Sequence, residues 1–242
     1  MNPNQAKRFL GMCNHILVIT GAGISSESGI PTFQGEGERW RNQDVRTLAT
    51  PKAFEEDPRF IWDWYLYRRG VVADASPNKA HYALAEWASR HAGVTLVTQN
   101  VDGLHERAGH PNVLRIHGSL WRNRCTQCDR EREETSLVYV ELPRSPCCDA
   151  LERPAIVWFG ERLPETVKEQ AIKAALDADA VITIGTSGAV ATANQLVRIA
   201  KLRHAESFDV NPNRSCIEAS SRFYGTAGDV VPGLLPSEQI AA

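Results

Sequence analysis

The run Ile16-Leu17-Val18-Ile19-Thr20 is continuously apolar and β-branched, the pattern of a strand buried on both faces. The same pattern returns over 94–98, over 113–116, over 180–184 and near 206–210, which reads as the last strand. Apolar positions at helical spacing occupy the intervals. The pattern predicts a short helix within 1–14, an aromatic-rich helix over 54–72, and helices over 80–91, 165–176 and 192–203. Ser76-Pro77-Asn78 supplies the start signal for the helix at 80. Strands alternating with helices predict an α/β fold with a mostly parallel sheet. Polar or glycine-rich sequence follows each strand: Gly21-Ala22-Gly23, Gln99-Asn100, His117-Gly118, Gly185-Thr186-Ser187 and Asn211. Open parallel sheets bind ligands at the carboxyl ends of their strands, so these five clusters are expected to face one crevice.

With 242 residues, 43% of them hydrophobic, the chain can bury a substantial core. The formal net charge of -2 argues against a nucleic-acid or anionic-membrane partner. No apolar run approaches the roughly 20 residues of a membrane span, and the N-terminus lacks a signal-peptide pattern, so a cytoplasmic enzyme is expected. Four of six cysteines, Cys125, Cys128, Cys147 and Cys148, fall in one charged, proline-containing segment over 121–153. Clustered thiols in such a chain point to metal rather than to disulfides. Cys13 and Cys216 stand alone and read as free cysteines.

The glycine stretch brings backbone close to a phosphate or forms a tight strand-to-helix turn; the third glycine of the usual dinucleotide fingerprint is replaced by Ser26, and both readings stand on residues alone. A polar loop over 34–40 is of a kind that closes over a ligand. His117 is a general base or a hydrogen-bonded structural residue. Asn100 and Asp102 either hold a ligand or close an Asx turn. The apolar run Val157-Trp158-Phe159-Gly160 is a core strand or an edge to which a peptide adds. Tyr65 and Arg68 lie three apart on one helix face. They pair a phenol and a guanidinium with a carboxylate, or Arg68 merely snorkels beside aromatic packing.

These motifs resemble the sirtuins, the NAD-dependent protein deacylases, from about residue 10 to 235. The matching blocks are 21–25 with 28–33, 98–105, His117-Gly118, 157–161 and 185–187. The resemblance implies a doubly wound, Rossmann-like NAD domain over 1–120 and 154–242, in which 34–80 forms a flexible loop and helical insertion carrying the acyl pocket. It implies a small zinc-ribbon module over 121–153. It implies that the acyl oxygen of acyl-lysine attacks the ribose carbon bearing nicotinamide, that His117 deprotonates a ribose hydroxyl, and that O-acyl-ADP-ribose forms. Asn100 would orient the ribose and Asp102 the nicotinamide amide. The co-substrate site would comprise Gly21, Ala22, Gly23, Ser25, Glu27, Thr32, Phe33, Gln34, Trp40, Gln99, Asn100, Asp102, Gly185, Thr186, Ser187, Asn211 and Ala227. The substrate site would comprise Ala49, Tyr65, Arg68, Val157, Phe159 and Gly160.

The run Tyr65-Leu66-Tyr67-Arg68 with Ala49 resembles the class III members, which remove succinyl, malonyl and glutaryl groups, so acyl chains ending in an acid are the expected preference. Two departures from the family stand out. Gln34 replaces an arginine, an amide where a cation would reach phosphate or ribose. The second metal pair falls on Ser145 and Cys148, so Cys147 must supply the fourth thiolate or the zinc site is weak. Rival readings are an ADP-ribosyltransferase and an NAD-sensing module without turnover. The partners expected are acyl-lysine proteins or peptides, and the state expected is a monomer or weak oligomer.

Overall fold

A computed structural model describes residues 1–32 and 39–236 of the chain. In chain order the elements are α1 (Pro3–Met12), β1 (Ile16–Thr20), a 3-10 turn (Ala22–Ser28), β2 (Arg39–Trp40), β3 (Gln43–Asp44), α2 (Val45–Leu48), α3 (Pro51–Glu56), α4 (Pro58–Asp74) and α5 (Lys79–Arg90). There follow β4 (Val94–Thr98), α6 (Leu104–Arg107), β5 (Val113–Arg115), β6 (Gly118–Cys125), β7 (Glu131–Glu133) and β8 (Glu152–Ile156). The chain closes with α7 (Glu165–Asp177), β9 (Ala180–Ile184), α8 (Ala191–Leu202), β10 (Glu206–Asn211), β11 (Ser221–Tyr224) and α9 (Ala227–Leu234).

The central sheet runs β11-β10-β9-β1-β4-β5, with every pairing parallel. Strand β1 explains why its sequence shows no alternation. Ile16 and Val18 pack with α1, α5 and α9 on one face, while Leu17 and Ile19 pack with α7 and α8 on the other. Both faces are dry over these four residues, so no polar position alternates with them, and the buried Thr20 that ends the strand has its hydroxyl paired with Thr98 Oγ1 at 2.8 Å. From β1 the chain builds outward through β4 and β5, then returns to build through β9, β10 and β11 on the opposite side. The order therefore reverses between β1 and β9, the place where such folds open a crevice.

Two expectations are corrected. The strand near 206–210 is not the last: β11 lies beyond it and pairs Phe208 with Ser221. The aromatic helix is broken at Asp57-Pro58, where the Asp57 carboxylate accepts from the Phe60 amide and proline occupies the first turn. A second sheet, β7-β6-β8, carries the cysteines and spans Gly118 to Ile156, a few residues wider at each end than 121–153. The fully buried Arg69 ties it to α4, donating to Leu120 O, Ser136 O, Tyr139 Oη and Asn123 Oδ1 at 2.7–3.2 Å. Among the described residues no helix is long and apolar enough to cross a membrane.

A buried histidine cluster lies beside β1. The rings of His81 and His105 are 4.8 Å apart, those of His105 and His110 6.3 Å, and His105 Nε2 meets Thr20 Oγ1 at 2.9 Å. Burial pushes His81 and His110 down to about 4, and His105 well below its usual range. In the unfolded chain each titrates near ~6.5. Between these limits the unfolded state binds more protons than the native one, so stability falls as pH drops from about 6.5 toward 4. The urea midpoint is therefore expected to be clearly lower at pH 5 than at pH 7.5. Equal midpoints would contradict the neutral, desolvated state of this cluster.

Candidate active site

The turns after β1 and β9 are pressed together at the reversal point. Gly21 N donates to Ile184 O at 3.0 Å and Gly23 N to Gly185 O at 2.8 Å. A Cβ on Gly21 would stand 2.8 Å from Gly185 O and from Thr186 Cβ, and one on Gly23 would stand 2.8 Å from Gly185 Cα. Gly185 itself has φ +61°, and a Cβ there would collide with the Ile24 amide nitrogen. The glycines are thus required by turn-on-turn packing. The amides of Gly21 and Gly23 are used in that packing, which fits the tight-turn reading of the stretch.

The packed turns floor a cleft of about 460 Å³. Its walls bring together most of the residues read from the sequence. Gly21, Ala22, Gly23, Ser25, Thr32, Gln99, Asn100, Asp102, His117, Gly185, Thr186, Ser187 and Asn211 line it, and so do Ala49, Tyr65, Arg68, Val157 and Phe159. Four expected residues do not line it. Glu27 instead caps α9, accepting from Thr226 Oγ1 at 2.9 Å and from the Gly228 amide at 2.7 Å; a carboxylate at a helix N-terminus is favoured there. Ala227 is buried in the first turn of that helix. Trp40 packs against Phe60 at 4.8 Å and under Arg41 at 4.4 Å. Gly160 turns the chain at φ +88° beside the cleft. Phe33, Gln34 and most of the polar loop expected over 34–40 lie outside the described residues.

The cleft's polar groups are held by one network. Ser25 Oγ donates to Asp102 Oδ2 at 2.8 Å, and Asp102 Oδ1 accepts from the Leu104 amide at 2.9 Å. Asn100 Nδ2 donates to Gly21 O at 3.1 Å and to Ser25 Oγ at 3.3 Å. Gln99 Nε2 donates to Thr186 Oγ1 at 3.0 Å, and Asn211 Nδ2 to Thr186 O at 2.8 Å. Burial pushes the Asp102 carboxyl up, against the opposing pull of its Leu104 and Ser25 donors. His117 Nδ1 lies 3.1 Å from Gln99 O. A carbonyl only accepts, so Nδ1 carries the proton and Nε2 keeps its lone pair. Burial also pushes His117 down, which holds the ring neutral.

The apolar run after β8 differs from the expected strand. Val157 N donates to His117 O, Trp158 N to Glu161 Oε2 and Phe159 N to Ala49 O, at 2.7–3.0 Å. The strand ends at Ile156, and three successive amides are already used. A peptide added here would pair with carbonyls rather than with a full ladder. Sequence reasoning also missed cleft residues. Arg46 brings a guanidinium held by Asp44 at 3.0 Å, and Trp64, Val101 and Asn213 line the wall. Trp64, one turn before Arg68 on the aromatic helix, and Val101, inside the 98–105 block, carried a signal that could have found them; the segments of Arg46 and Asn213 carry none.

The four clustered cysteine sulfurs all lie within 4.8 Å of one another. Cys125 and Cys148 are 3.4 Å apart, Cys128 and Cys147 3.0 Å, Cys147 and Cys148 3.7 Å. Edges of that size suit four thiolates about 2.3 Å from one tetrahedral zinc. The adjacent cysteines therefore do converge on a single centre. Two similar turns explain how. Cys125 N donates to Arg130 O and Ser145 N to Ala150 O, and the left-handed residues Asp129 (φ +56°) and Asp149 (φ +58°) follow Cys128 and Cys148. Ser145 thus occupies the place of Cys125. Its buried hydroxyl lies 3.1 Å from Cys147 Sγ, the sulfur that replaces it. A closed four-thiolate site would pin the two turns together and leave no position open for chemistry. Ser145→Ala is expected to weaken zinc about tenfold in competition with a chelating dye, as loss of an outer-shell hydrogen bond does. Cys147→Ser is expected to cost more, and unchanged affinity there would remove Cys147 from the ligand set.

The Sir2 family model matches residues 21–192. The chain is 41% identical over 225 residues to NAD-dependent protein deacylase 1 of Caldanaerobacter subterraneus subsp. tengcongensis, covering 93% of each chain. It is 44% identical over 232 residues to the NAD-dependent protein deacylase of Methylococcus capsulatus, covering 91% of each. Among solved structures, a Sir2 homolog–NAD complex superposes with a TM-score of 0.90 at 41% identity, over 97% of this chain and 92% of that one. A mutant Sir2 bound to a p53 peptide and NAD gives 0.82 at 26% identity, over 97% of each chain. With a family match across the glycine turns, His117 and all four clustered cysteines, and relatives alike over nearly its whole length, this chain belongs to the Sir2 family.

Proposed function

We propose that this cleft removes acyl groups from lysine side chains at the expense of NAD, and that it prefers acyl groups ending in a carboxylate. One observation carries the reading: a histidine with a free, desolvated Nε2 and a helix-borne Tyr65–Arg68 pair line the same cavity. The relatives named as deacylases and the peptide-bound Sir2 structure support the substrate class.

NAD supplies a ribose carbon whose bond to nicotinamide can break; the protein's share is orientation and proton transfer. Thr186, Ser187 and Asn211, at the ends of β9 and β10, are the residues to hold its adenosine half. Asn100, fixed by Gly21 O and Ser25, is placed to orient the ribose, and Asp102 to hold the carboxamide. His117 Nε2 takes a proton from a ribose hydroxyl and the ring becomes an imidazolium, its Nδ1–H still donated to Gln99 O. Ala49 leaves space where a larger side chain would shorten the acyl chamber. Arg68 stacks 5.0 Å over Trp64 and 5.3 Å over Tyr65 and offers a planar cation to an acid. The four-cysteine site takes no part in the reaction and is structural.

The acyl reading is tested with acetyl-, malonyl-, succinyl- and glutaryl-lysine versions of one peptide under saturating NAD. Higher kcat/KM for the acidic acyl groups than for acetyl is the expected result. Equal values for succinyl and acetyl would refute the preference while leaving the deacylase reading in place.

A further inference from the structure

Trp158 does not line the cleft, yet it is fixed behind it. The indole is 2% exposed, lies 3.4 Å beneath the Arg153 guanidinium and packs 5.5 Å from Phe54. Arg153 is in turn held by Glu161, which also accepts from the Trp158 amide. So anchored, the indole has one direction for its N–H. It donates to Tyr65 Oη at 2.7 Å, across rings stacked at 6.3 Å.

This bond changes what Tyr65 can do. A phenol oxygen accepts and donates in its ring plane, and the accepting side is taken by Trp158. Among the described residues nothing accepts the phenol's own hydrogen. The neighbouring Arg68 is a cation and cannot. Burial pushes the Tyr65 pKa up, so the group stays a protonated donor. A buried donor without an acceptor is costly, and a ligand oxygen that meets it recovers that cost.

We propose that Trp158 is a positioning residue for acyl specificity: by occupying the acceptor side of Tyr65 Oη, its indole N–H commits the phenol to donate, so that Tyr65 and Arg68 together select an acyl chain ending in a carboxylate. The inference rests on the acidic-acyl reading above and adds to it a residue that does not itself line the cleft. An acetyl group carries no terminal oxygen to meet either donor.

The test is a double-mutant cycle read as the ratio of kcat/KM for succinyl- over acetyl-lysine peptide. Trp158→Phe keeps an aromatic ring beneath Arg153 and removes the N–H along with part of the indole's bulk. It is expected to lower the ratio about tenfold, the size of one hydrogen bond, through a raised KM for the succinyl peptide. Tyr65→Phe, which removes the other partner, is expected to lower it at least as much. In the Tyr65→Phe background, Trp158→Phe is expected to change the ratio less than twofold. An equal drop in both backgrounds would mean the indole acts by packing, and a ratio unmoved by Trp158→Phe alone would also overturn the proposal. Absence of succinyl preference in the unmutated enzyme would show instead that the acidic-acyl reading itself had failed, and this inference with it.

Discussion

Replacing His117 with alanine is expected to lower kcat about a thousandfold, within the ~10²–10⁴ range for a positioned general base, while NAD affinity changes only a few-fold. The asymmetry follows from the ring's bonds. Among the described residues the His117 ring has one hydrogen-bond partner, Gln99 O, and no bond to the residues assigned to the adenosine half. Its loss removes a proton acceptor and leaves the Gln99–Thr186–Asn211 bonds intact. Burial lowers the pKa of His117, so the neutral ring persists below the usual range and the acid limb of the kcat/KM profile should fall below pH ~6.5. A glutamine at 117 should be as inactive as alanine, since an amide donates and accepts but is no base. Retention of most of kcat in either variant would show that another group takes the proton.

The second large effect is expected at Arg68. Arg68→Met keeps an unbranched apolar stem against Trp64 and Tyr65 and deletes the planar cation. A hydrogen bond to a charged group is worth about 1.5–3 kcal/mol, or roughly 10- to 150-fold. The kcat/KM for succinyl peptide should fall by that factor and the acetyl value by far less. Steady-state kinetics on paired peptides decide it: parallel losses on both would place Arg68 in the architecture of α4 rather than in acyl recognition.

The neighbouring arginine shows why such roles are only partly written in a sequence. Arg68 and Arg69 are adjacent and identical in type. The first lines the cleft, and the second is wholly buried, its guanidinium distributed over four oxygens that join α4 to the cysteine-bearing sheet. Helical spacing from Tyr65 singled out Arg68, but nothing local marked Arg69 as a tie between units. The central strands were legible because burial on both faces forces unbroken apolar runs, as in β1. By contrast β11 was missed, since Ser221-Arg222-Phe223-Tyr224 is short and polar; Arg222 is held by Asp209 at 3.0 Å, a partner no local pattern reveals. Glu27 lay within a motif yet serves α9, 199 residues on, because the fold sets that helix's N-terminus against it. Ser145 marked a break in the cysteine spacing. Only the paired left-handed turns at Asp129 and Asp149 show how Cys147 takes over.

On the proposed reading the acyl group leaves the peptide for ADP-ribose. Incubation with NAD and a succinyl-lysine peptide, followed by mass spectrometry of all products, tests it directly. Free-lysine peptide, nicotinamide and O-succinyl-ADP-ribose should accumulate in equal amounts. Nicotinamide released with ADP-ribose on protein and the peptide still acylated, or NAD bound with nothing released, would contradict it.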